Sequence, residues 1–408
     1  MPGNNKTIRS IESMDEERQK RREEILRRLQ KDNIRFDCRH YSGYKPCGLS
    51  EFCEGCSRYD PRRFRILIIK LAALGDVLRT TPILTGLKKV YPQSHITWIT
   101  DSSAFPLLKN NPHIDVLLPF RFGGVVSVMN ASGGFDLALN FEKEDRALGL
   151  FAAVRASVKR GFAFSKAGTL SIVNEASLYA LQLGLHDELK FRLNTETYQE
   201  TLFKMAEIPY SGEDYVLSLS DSALDFARQM AKHLSLSPDR LRIGLNTGCG
   251  SVFETKRWTV QGFCDLARAL NADGDCDLLL LGGAREKEMN QAILNQCGDY
   301  LHDTGCDNTL EEFMGIVSLC DVVVSSDSLA AHIALALKKQ VVLFFGPTCP
   351  QEVELYDRGE KIVADFPCAP CYLKRCERLP RCMEKLDAGR VYEAVRRCMG
   401  KIDSLRKS

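Results

Sequence analysis

The chain has 408 residues, of which 44% are hydrophobic and 26% are charged. This length is typical of about two domains, and the composition is that of a globular protein with a sizeable core. The formal net charge of +2 argues against a nucleic-acid partner held by a basic surface. The N-terminus is polar, and no segment approaches the ~18 consecutive apolar residues of a membrane span. We therefore expect a cytoplasmic protein.

Residues 1–64 are predicted to form an extension that precedes the first strand. Residues 15–32 mix acidic and basic side chains densely, which favours a solvent-exposed helix with a narrow apolar stripe. An anchor on a membrane surface is the alternative interpretation. Residues 37–61 are rich in turn-forming residues and cysteines.

From residue 65 onward, short apolar runs alternate with amphipathic helical patterns. This alternation is typical of a parallel sheet covered by helices on both faces. In the first half the predicted strands cover 66–70, 96–100, 116–119 and 136–140, and the predicted helices cover 77–90 and 147–156. Residues 166–235 have a mostly helical pattern.

The same alternation resumes at residue 242. The predicted strands cover 242–246, 278–281, 322–324 and 341–345, and the predicted helices lie near 260–270, 285–295, from 329 and over 387–406. We predict an α/β protein with doubly wound, Rossmann-like domains over 65–215 and 216–385 and a C-terminal helix over 386–408. Two such domains facing each other would enclose a cleft at the carboxyl ends of their strands.

The segment from Ser325 to His332 follows a predicted buried strand and leads directly into a helix. Such a turn places unpaired backbone N–H groups and the positive end of a helix dipole at the carboxyl edge of the sheet. Proteins with α/β sheets bind ligand phosphates at this edge. The segment therefore predicts a binding site for a phosphorylated donor.

The first strand–helix turn, residues 69–82, contains the single glycine Gly75. It therefore lacks the G-x-G-x-x-G pattern of dinucleotide-binding loops, which disfavours a nicotinamide or flavin enzyme. Asp76 lies at or near the start of the following helix. Its carboxylate could simply cap that helix, a contribution of about 1 kcal/mol, or it could project into the cleft as a general base.

The loop over 246–258 is rich in small and hydroxyl residues and ends with Lys256 and Arg257. Small residues let a backbone approach phosphate, and basic side chains supply charge to a diphosphate. A surface loop with two incidental basic residues is the alternative. Gly282 and Gly283 follow the next strand and could shape a base and ribose pocket, or serve an ordinary turn. The acidic segment 273–277 precedes that strand, so we interpret it as an exposed turn rather than a metal site.

Four blocks of sequence, taken together, resemble glycosyltransferase family 9, the ADP-heptose:lipopolysaccharide heptosyltransferase family. They are IIKLAALGDVLRTTPIL at 68–84, KRW at 256–258, SDSLAAHIALAL at 326–337 and LFFGPT at 343–348. The blocks occur in the family's order, and the resemblance covers roughly residues 65–385. It implies a GT-B fold, in which the N-terminal half binds the acceptor and the C-terminal half binds the nucleotide sugar.

The resemblance implies an inverting, metal-independent transfer of heptose from ADP-heptose to a lipopolysaccharide inner-core acceptor. Asp76 would take the proton from the acceptor hydroxyl, and Lys256 would stabilise the departing diphosphate. Asp327 would face the hydroxyls of the donor sugar. The other implied donor contacts lie on the two loops of the second half: Ser251, Ser328, Leu329, Ala330 and His332.

The implied partners are a nucleotide-sugar donor and a lipid-linked saccharide acceptor, with peripheral contact at the inner face of the inner membrane. Two alternatives remain open. One is a member of the same family that uses another nucleotide sugar or acceptor. The other is a non-catalytic, metal- or redox-responsive binding protein on the same fold. The joint presence of Asp76, Lys256 and Asp327 favours an enzyme.

Two groups of four cysteines lie outside the strands. One group is Cys38, Cys47, Cys53 and Cys56, and the other is Cys368, Cys371, Cys376 and Cys382. Four thiols that include a C-x-x-C pair are enough for structural zinc or an iron–sulfur cluster. Reduced thiols are the alternative, and disulfides are the least favoured in a chain of this kind. No cofactor is expected for the transfer reaction itself.

Overall fold

The structure, a computed structural model, describes residues 5–121, 125, 133–250 and 252–407. The chain comprises two compact units, one formed by Met1–Arg65 with Gln93–His95 and the other by Ile66–Pro92 with Ile96–Ser408. Within the described ranges, no helix is both long enough and apolar enough to cross a membrane.

The first unit begins with helix α1 (Asn5–Arg28), where the dense charge pattern predicts a helix. Loops of irregular structure follow up to residue 63. The guanidinium group of Arg28 lies 3.8 Å from the ring centre of Phe52, which is buried. Arg21 forms an ion pair of 2.7 Å with Glu51. These contacts fasten the loops to the helix.

The first sheet of the described chain has six strands in the order β3-β2-β1-β4-β5-β6. The strands are β1 (Phe64–Ile69), β2 (Ser94–Thr100), β3 (Val116–Pro119), β4 (Phe135–Asn140), β5 (Ala156–Phe164) and β6 (Leu170–Ile172). The β2–β3, β1–β4 and β4–β5 pairs are parallel, and the β5–β6 pair is antiparallel. Part of the region 166–235, predicted to be mostly helical, is thus a hairpin, because pairing with β5 outweighs the local pattern.

The helices of this half are α2 (Leu74–Thr80), α3 (Pro82–Val90), α4 (Phe105–Leu108), α5 (Asp145–Ala153), α6 (Leu178–Gln182) and α7 (Tyr198–Met205). The single helix predicted over 77–90 is therefore two helices. Pro82 lacks a backbone N–H and cannot continue the hydrogen-bonding ladder of α2, but it suits the first position of α3.

The second sheet, counted over the described residues, also has six strands, in the order β12-β11-β10-β7-β8-β9. The strands are β7 (Leu241–Asn246), β8 (Cys276–Leu281), β9 (Leu301–Asp303), β10 (Val322–Ser326), β11 (Gln340–Phe345) and β12 (Gly359–Val363). The helices are α8 (Asp221–His233), α9 (Val260–Asp273), α10 (Lys287–Cys297), α11 (Leu310–Leu319), α12 (Leu329–Ala336) and α13 (Ala388–Lys407). All five strand pairs are parallel. The prediction of an α/β protein with two doubly wound sheets is confirmed.

The core of the second half fixes the loop that carries Lys256. Trp258 is buried against Phe263 and Phe344, and its indole N–H donates to the carbonyl oxygen of Leu386 at 3.2 Å. An indole with a satisfied N–H is a rigid anchor. Lys256, two residues earlier, is therefore attached to a fixed point of the fold.

The acidic segment after α9 forms a turn before β8. Gly274 has a φ of 69°, the left-handed conformation that ends α9. Asp273 and Asp275 both pair with Arg396 on α13, at 3.3 Å and 2.7 Å. Gly274 and Asp275 form the predicted turn, while Asp273 ends α9 and Cys276 and Asp277 begin β8.

Helices α8 and α11 pack closely at Gly315, so we expect the stability of the protein to depend on this glycine. A Cβ atom at Gly315 would lie 2.5 Å from the carbonyl oxygen of Ala223, whereas one at Gly400 on α13 would meet no atom within 4 Å. Gly315→Ala should lower the free energy of unfolding by about 1–3 kcal/mol through overpacking, although alanine is the better helix former. Gly400→Ala should raise it by up to about 1 kcal/mol. Thermal unfolding of both variants measures the difference, and equal shifts would contradict this packing.

Candidate active site

Asp76 lies in the first turn of α2, after the loop that leaves β1. Ala73 is the N-cap residue of this helix, and no side chain caps it. The carboxylate of Asp76 instead pairs with Arg79, its Oδ1 lying 3.0 Å from Nη2. Of the two interpretations that the sequence left open, the simple cap is wrong, because the side chain makes no capping hydrogen bond.

Arg79 is held in turn by Tyr198 from α7. Its guanidinium carbon lies 3.8 Å from the centre of the Tyr198 ring, a stacking distance. The Tyr198 hydroxyl forms a hydrogen bond of 3.1 Å with Thr80 Oγ1. The cation beside Asp76 is thus fixed by an aromatic face from another helix.

A buried ion pair supports the same loop. Lys70 Nζ lies 3.0 Å from Glu142 Oε2, and both residues are buried. The same carboxylate oxygen accepts hydrogen bonds from the backbone N–H groups of Leu71 and Ala72, at 3.2 Å and 3.3 Å. Removal of either partner would leave a buried charge without compensation, so this pair constrains the start of the loop.

The charges around Asp76 keep it ionised. Burial by itself would raise the pKa of Asp76, but Arg79, Lys70 and His332 together hold that pKa below its usual value. The carboxylate is therefore negatively charged at neutral pH.

In the second half of the chain, Asn246 at the end of β7 organises the loop over 246–258. Its side-chain amide donates to the carbonyl oxygen of Gly248 at 2.8 Å and to Ser325 Oγ at 2.9 Å. Lys256, near the end of this loop, reaches Asp327, the residue that follows β10. Its Nζ donates to the carbonyl oxygen of Asp327 at 2.5 Å and lies 3.6 Å from Asp327 Oδ2.

The start of α12 provides backbone donors at this edge. Ser328 is the N-cap residue, and its Oγ accepts from the N–H of Ala331 at 3.4 Å. Leu329 and Ala330 occupy the first two positions of the helix, where N–H groups have no acceptor within the helix. These amides lie at the positive end of the helix dipole.

His332, one turn into α12, is buried and connects two groups. One ring nitrogen, Nδ1, forms a hydrogen bond of 2.9 Å with the Tyr215 hydroxyl, and the other, Nε2, lies 3.6 Å from Asp327 Oδ1. Burial would raise the pKa of Asp327, but Lys256, His332 and Arg79 hold that pKa far below its usual range. Asp327 is therefore an ionised carboxylate held among cations.

Helices α2 and α12 meet directly. A Cβ atom at Gly75 would lie only 2.8 Å from His332 Cδ2, so glycine is what allows this approach. His332 lowers the pKa of Asp76 and Asp327 raises it, as charges close to that carboxylate do. The structure thus brings Asp76, Lys256, Asp327 and His332 into one site, together with the start of α12.

The remaining predicted donor contacts are Gly282, Gly283 and Ser251. Gly282 is buried against Asn290 and Glu286, and the N–H of Gly283 donates to Glu286 Oε2 at 3.1 Å. Glu286 also lies 3.7 Å from Arg257 Nη2. The two glycines therefore belong to the edge of β8, beside the loop that follows β7. Ser251 lies outside the described residues.

Several residues of the site were not singled out from the sequence. Lys70 and Arg79 lie within the same sequence block as Asp76, so their spacing from Asp76 could have identified them as site residues. Glu142 and Tyr198 come from distant segments, and only the fold brings them to the loop. Asn246 marks the end of a predicted strand, where polar side chains commonly face a ligand.

The cysteine groups differ from the prediction of a metal site. Among the described residues, no group of three or more His, Cys, Asp or Glu side chains is arranged to bind a metal ion. A metal needs ligand atoms that converge at about 2–2.5 Å. Instead, the four thiols of the first unit line a cavity of about 250 Å³, and all sixteen cysteines are free. The four C-terminal thiols lie near one another, and burial raises the pKa of Cys382.

The chain is similar in sequence and in fold to known proteins. The chain is 25% identical over 310 residues to the lipopolysaccharide core heptosyltransferase OpsX of Haemophilus influenzae, covering 74% of this chain and 84% of that protein. Its fold matches the glycosyl transferase family 9 structure from Veillonella parvula (TM-score 0.66, 20% identity, covering 83% of this chain and 97% of that one). It also matches the ADP-heptose lps heptosyltransferase II of E. coli (TM-score 0.62, 18% identity, covering 83% and 100%).

The two-sheet architecture is therefore the GT-B fold that the resemblance implied. The family model for glycosyltransferase family 9 (heptosyltransferase) matches residues 131–380, which is more than half of the chain. The chain belongs to glycosyltransferase family 9 and is a glycosyltransferase.

Proposed function

We propose that this glycosyltransferase moves heptose from ADP-heptose to a saccharide acceptor of the lipopolysaccharide inner core. In this proposal residues 65–215 bind the acceptor and residues 216–385 bind the donor. The observation that carries it is the approach of Asp76 on α2 to Lys256, Asp327 and the start of α12. The heptosyltransferase named OpsX, to which the chain is similar, supports both the sugar and the acceptor.

The donor diphosphate is assigned to the start of α12. The N–H groups of Leu329 and Ala330 and the ammonium group of Lys256 supply positive charge there. Asp327, an ionised carboxylate between Lys256 and His332, is suited to accept hydrogen bonds from sugar hydroxyls. Ser251 is assigned to the phosphates, and Gly282 and Gly283 to the base and ribose.

The reaction is a displacement at the anomeric carbon. An acceptor hydroxyl oxygen attacks this carbon from the face opposite the diphosphate, while Asp76 takes the hydroxyl proton. The new carbon–oxygen bond forms as the bond to phosphate breaks, and ADP leaves with the electron pair, so the anomeric configuration is inverted. Lys256 and the α12 amides stabilise the charge that grows on the diphosphate, and we therefore propose that transfer needs no metal.

The proton acceptor is a weak base in the ground state because Arg79 holds it ionised. The acceptor hydroxyl becomes strongly acidic only as its oxygen bonds to the anomeric carbon. Proton transfer late in the reaction is therefore compatible with a carboxylate of low pKa. Arg79 also keeps the carboxylate in one orientation.

A lipid-linked acceptor would bring the enzyme to the inner face of the inner membrane. Residues 1–65 contain sixteen Lys and Arg against eleven Asp and Glu, a net charge of +5, whereas the rest of the chain carries −3. Basic segments are attracted to anionic lipid headgroups. This asymmetry supports a peripheral contact through the extension and a cytoplasmic location for the reaction.

Asp76→Asn tests the proposed base. Removal of a general base should lower kcat by about 10²–10⁴-fold and leave the Kd of ADP almost unchanged. Transfer from ADP-heptose to purified inner-core acceptor is measured by mass spectrometry, beside calorimetric titration with ADP.

The control for this variant is Asp221→Asn, which removes an exposed carboxylate from the first turn of α8. It should behave as the wild type in both measurements. Turnover of Asp76→Asn at the wild-type rate would remove Asp76 from the mechanism. Wild-type turnover with a different nucleotide sugar, but not with ADP-heptose, would contradict the assigned donor.

The effect of Arg79 on Asp76 predicts a change in pH dependence. Arg79 lowers the pKa of Asp76. Because the ordinary pKa of an aspartate is already about 3.9, the wild-type value of kcat/KM should stay constant down to about pH 5. Arg79→Met should raise that pKa, so kcat/KM at pH 5–6 should fall relative to its value at pH 8. Arg79→Lys should restore the wild-type profile in part. A profile for Arg79→Met parallel to that of the wild type would contradict the coupling.

Lys256→Met tests the diphosphate contact. Loss of a charge-assisted hydrogen bond, worth about 1.5–3 kcal/mol, should weaken ADP binding by about 10–100-fold. Lys401→Met on α13, an exposed site, is the control and should bind ADP as the wild type does. Wild-type affinity and turnover should persist in EDTA. Unchanged affinity in Lys256→Met, or loss of turnover in EDTA that Mg²⁺ restores, would contradict the proposal.

A further inference from the structure

The segment between α7 and α8 connects the two halves of the chain and carries Tyr215. The backbone N–H of Val216 donates to Thr81 Oγ1 at 3.0 Å, and Asn111 Nδ2 donates to the carbonyl oxygen of Val216 at 3.0 Å. Thr81 is the C-cap residue of α2. The connecting segment is therefore tied to the helix that bears Asp76.

The same segment is also tied to the second half of the chain. The guanidinium group of Arg358 binds both carboxylate oxygens of Asp214, at 2.6 Å and 2.7 Å. The Tyr356 hydroxyl donates to the carbonyl oxygen of Glu213 at 2.9 Å, and its ring packs edge-on against that of Tyr215 with the centres 5.8 Å apart. Tyr215 thus lies between neighbours that are anchored to both halves.

The side chain of Tyr215 is buried, and its hydroxyl oxygen lies 2.9 Å from His332 Nδ1. Burial raises the pKa of Tyr215 above the usual value of a phenol, although Arg79 and Gln199 act in the opposite direction. The hydroxyl therefore keeps its proton at neutral pH. A protonated phenol can donate this hydrogen bond, and its acceptor is then a ring nitrogen without a proton.

The other edges of the His332 ring have specific neighbours as well. Nε2 lies 3.6 Å from Asp327 Oδ1, and Cδ2 is the atom that a Cβ at Gly75 would approach to 2.8 Å. A ring rotated by 180° would exchange each nitrogen with a carbon, so the hydroxyl and the carboxylate would both face C–H groups. The hydrogen bond from Tyr215 therefore selects the orientation in which Nε2 faces Asp327.

The same hydrogen bond decides which nitrogen of a neutral ring carries the proton. One nitrogen of a neutral imidazole is a donor and the other is an acceptor. Because Nδ1 accepts from Tyr215, the proton is on Nε2, and this N–H is directed at the ionised Asp327. An N–H attracts a carboxylate at this distance, whereas a lone pair would repel it. Lys256 faces one oxygen of Asp327 and His332 faces the other.

We propose that Tyr215 is a positioning residue for recognition of the donor sugar. It fixes the orientation and the protonated nitrogen of His332, and His332 in turn holds the Asp327 carboxylate where sugar hydroxyls bind. This inference rests on the proposed function, in which Asp327 is assigned to the sugar. Tyr215 acts through His332 and takes no part in the proton transfer. Donor binding thus depends on the segment that is tied to α2.

Tyr215→Phe removes the hydroxyl and keeps the packed ring. Calorimetric titrations with ADP and with ADP-heptose separate the contribution of the sugar from that of the nucleotide. Loss of one hydrogen bond that positions Asp327 should raise the Kd of ADP-heptose about 3–10-fold and leave the Kd of ADP nearly unchanged. An equal rise for both ligands would overturn the proposal.

Tyr356→Phe is the matched control. It removes the hydroxyl of the neighbouring ring, which bonds to a backbone carbonyl oxygen and not to His332, while Arg358 still holds the segment. Both affinities should equal those of the wild type. A selective loss of ADP-heptose affinity in this control, as large as that in Tyr215→Phe, would assign the effect to packing and contradict the role of Tyr215.

A double-mutant cycle tests whether Tyr215 acts through His332. His332→Gln should by itself raise the Kd of ADP-heptose relative to that of ADP. In the His332→Gln background, Tyr215→Phe should cause no further rise, because the ring that the hydroxyl orients is gone. Thermal unfolding checks that every variant is folded at the temperature of the titration. A rise of the same size in both backgrounds would overturn the proposal.

Nitrogen-15 NMR of the ligand-free protein tests the same contact without any donor. At about pH 8, Nδ1 of His332 should be unprotonated and Nε2 protonated, with the two signals assigned by their absence in His332→Gln. The Nδ1 signal should move in Tyr215→Phe and stay in place in Tyr356→Phe. A proton on Nδ1 of the wild type would overturn the proposal.

The outcomes separate this inference from the proposed function. If the wild type binds ADP-heptose and Tyr215→Phe binds both ligands as the wild type does, the role of Tyr215 is wrong and the proposed function stands. If the wild type does not bind ADP-heptose, the proposed function fails. The NMR signals alone then decide whether Tyr215 fixes His332.

Discussion

The direct contact between α2 and α12 is the constraint on which the rest of the site depends. Gly75 lets α2 approach the ring of His332, since any larger residue would put a Cβ atom 2.8 Å from it. That approach brings a carboxylate from the first sheet to the edge of the second, where Lys256 and the α12 amides lie. A proton acceptor and a diphosphate site must be near each other for a displacement between two bound substrates.

The same approach gathers several buried and partly buried charges in one place. Asp76 and Arg79, Lys70 and Glu142, and Lys256 and Asp327 form three pairs of opposite charge. Desolvation makes such pairs a weak source of stability, so a fold that keeps three of them in one region keeps them for another reason. In a site that excludes water, fixed charges stabilise a transition state more strongly than they would in solvent. The stability lost to desolvation is therefore consistent with catalysis.

The two sides of the site differ in how local their chemistry is. On the proposed donor side, single segments carry several groups, since Asp327, Ser328 and His332 come from one strand–helix junction. On the proposed acceptor side, a cavity of about 280 Å³ beside Asp76 takes its walls from α2, the segment after β4, Phe162 of β5, α6 and α7. Phosphate recognition needs a helix start and a few small residues, which one motif can supply. Recognition of an acceptor depends on shape and charge assembled from many segments, so it leaves no motif.

The sequence by itself determined the α/β class, most of the central strands and the positions of Asp76, Lys256 and Asp327. Buried parallel strands have continuous apolar runs, and a phosphate-binding turn has a local pattern. The tertiary structure decided that Asp76 pairs with Arg79 instead of capping α2 and that Glu142 and Tyr198 support that loop. It also decided that, within the described part of the chain, the cysteines are not arranged as metal ligands. It placed the Tyr215 hydroxyl against His332 as well. The pairing of Asp76 with Arg79 is local to α2. The other facts depend on distances between segments far apart in the chain, which hydrophobic periodicity and residue spacing do not encode.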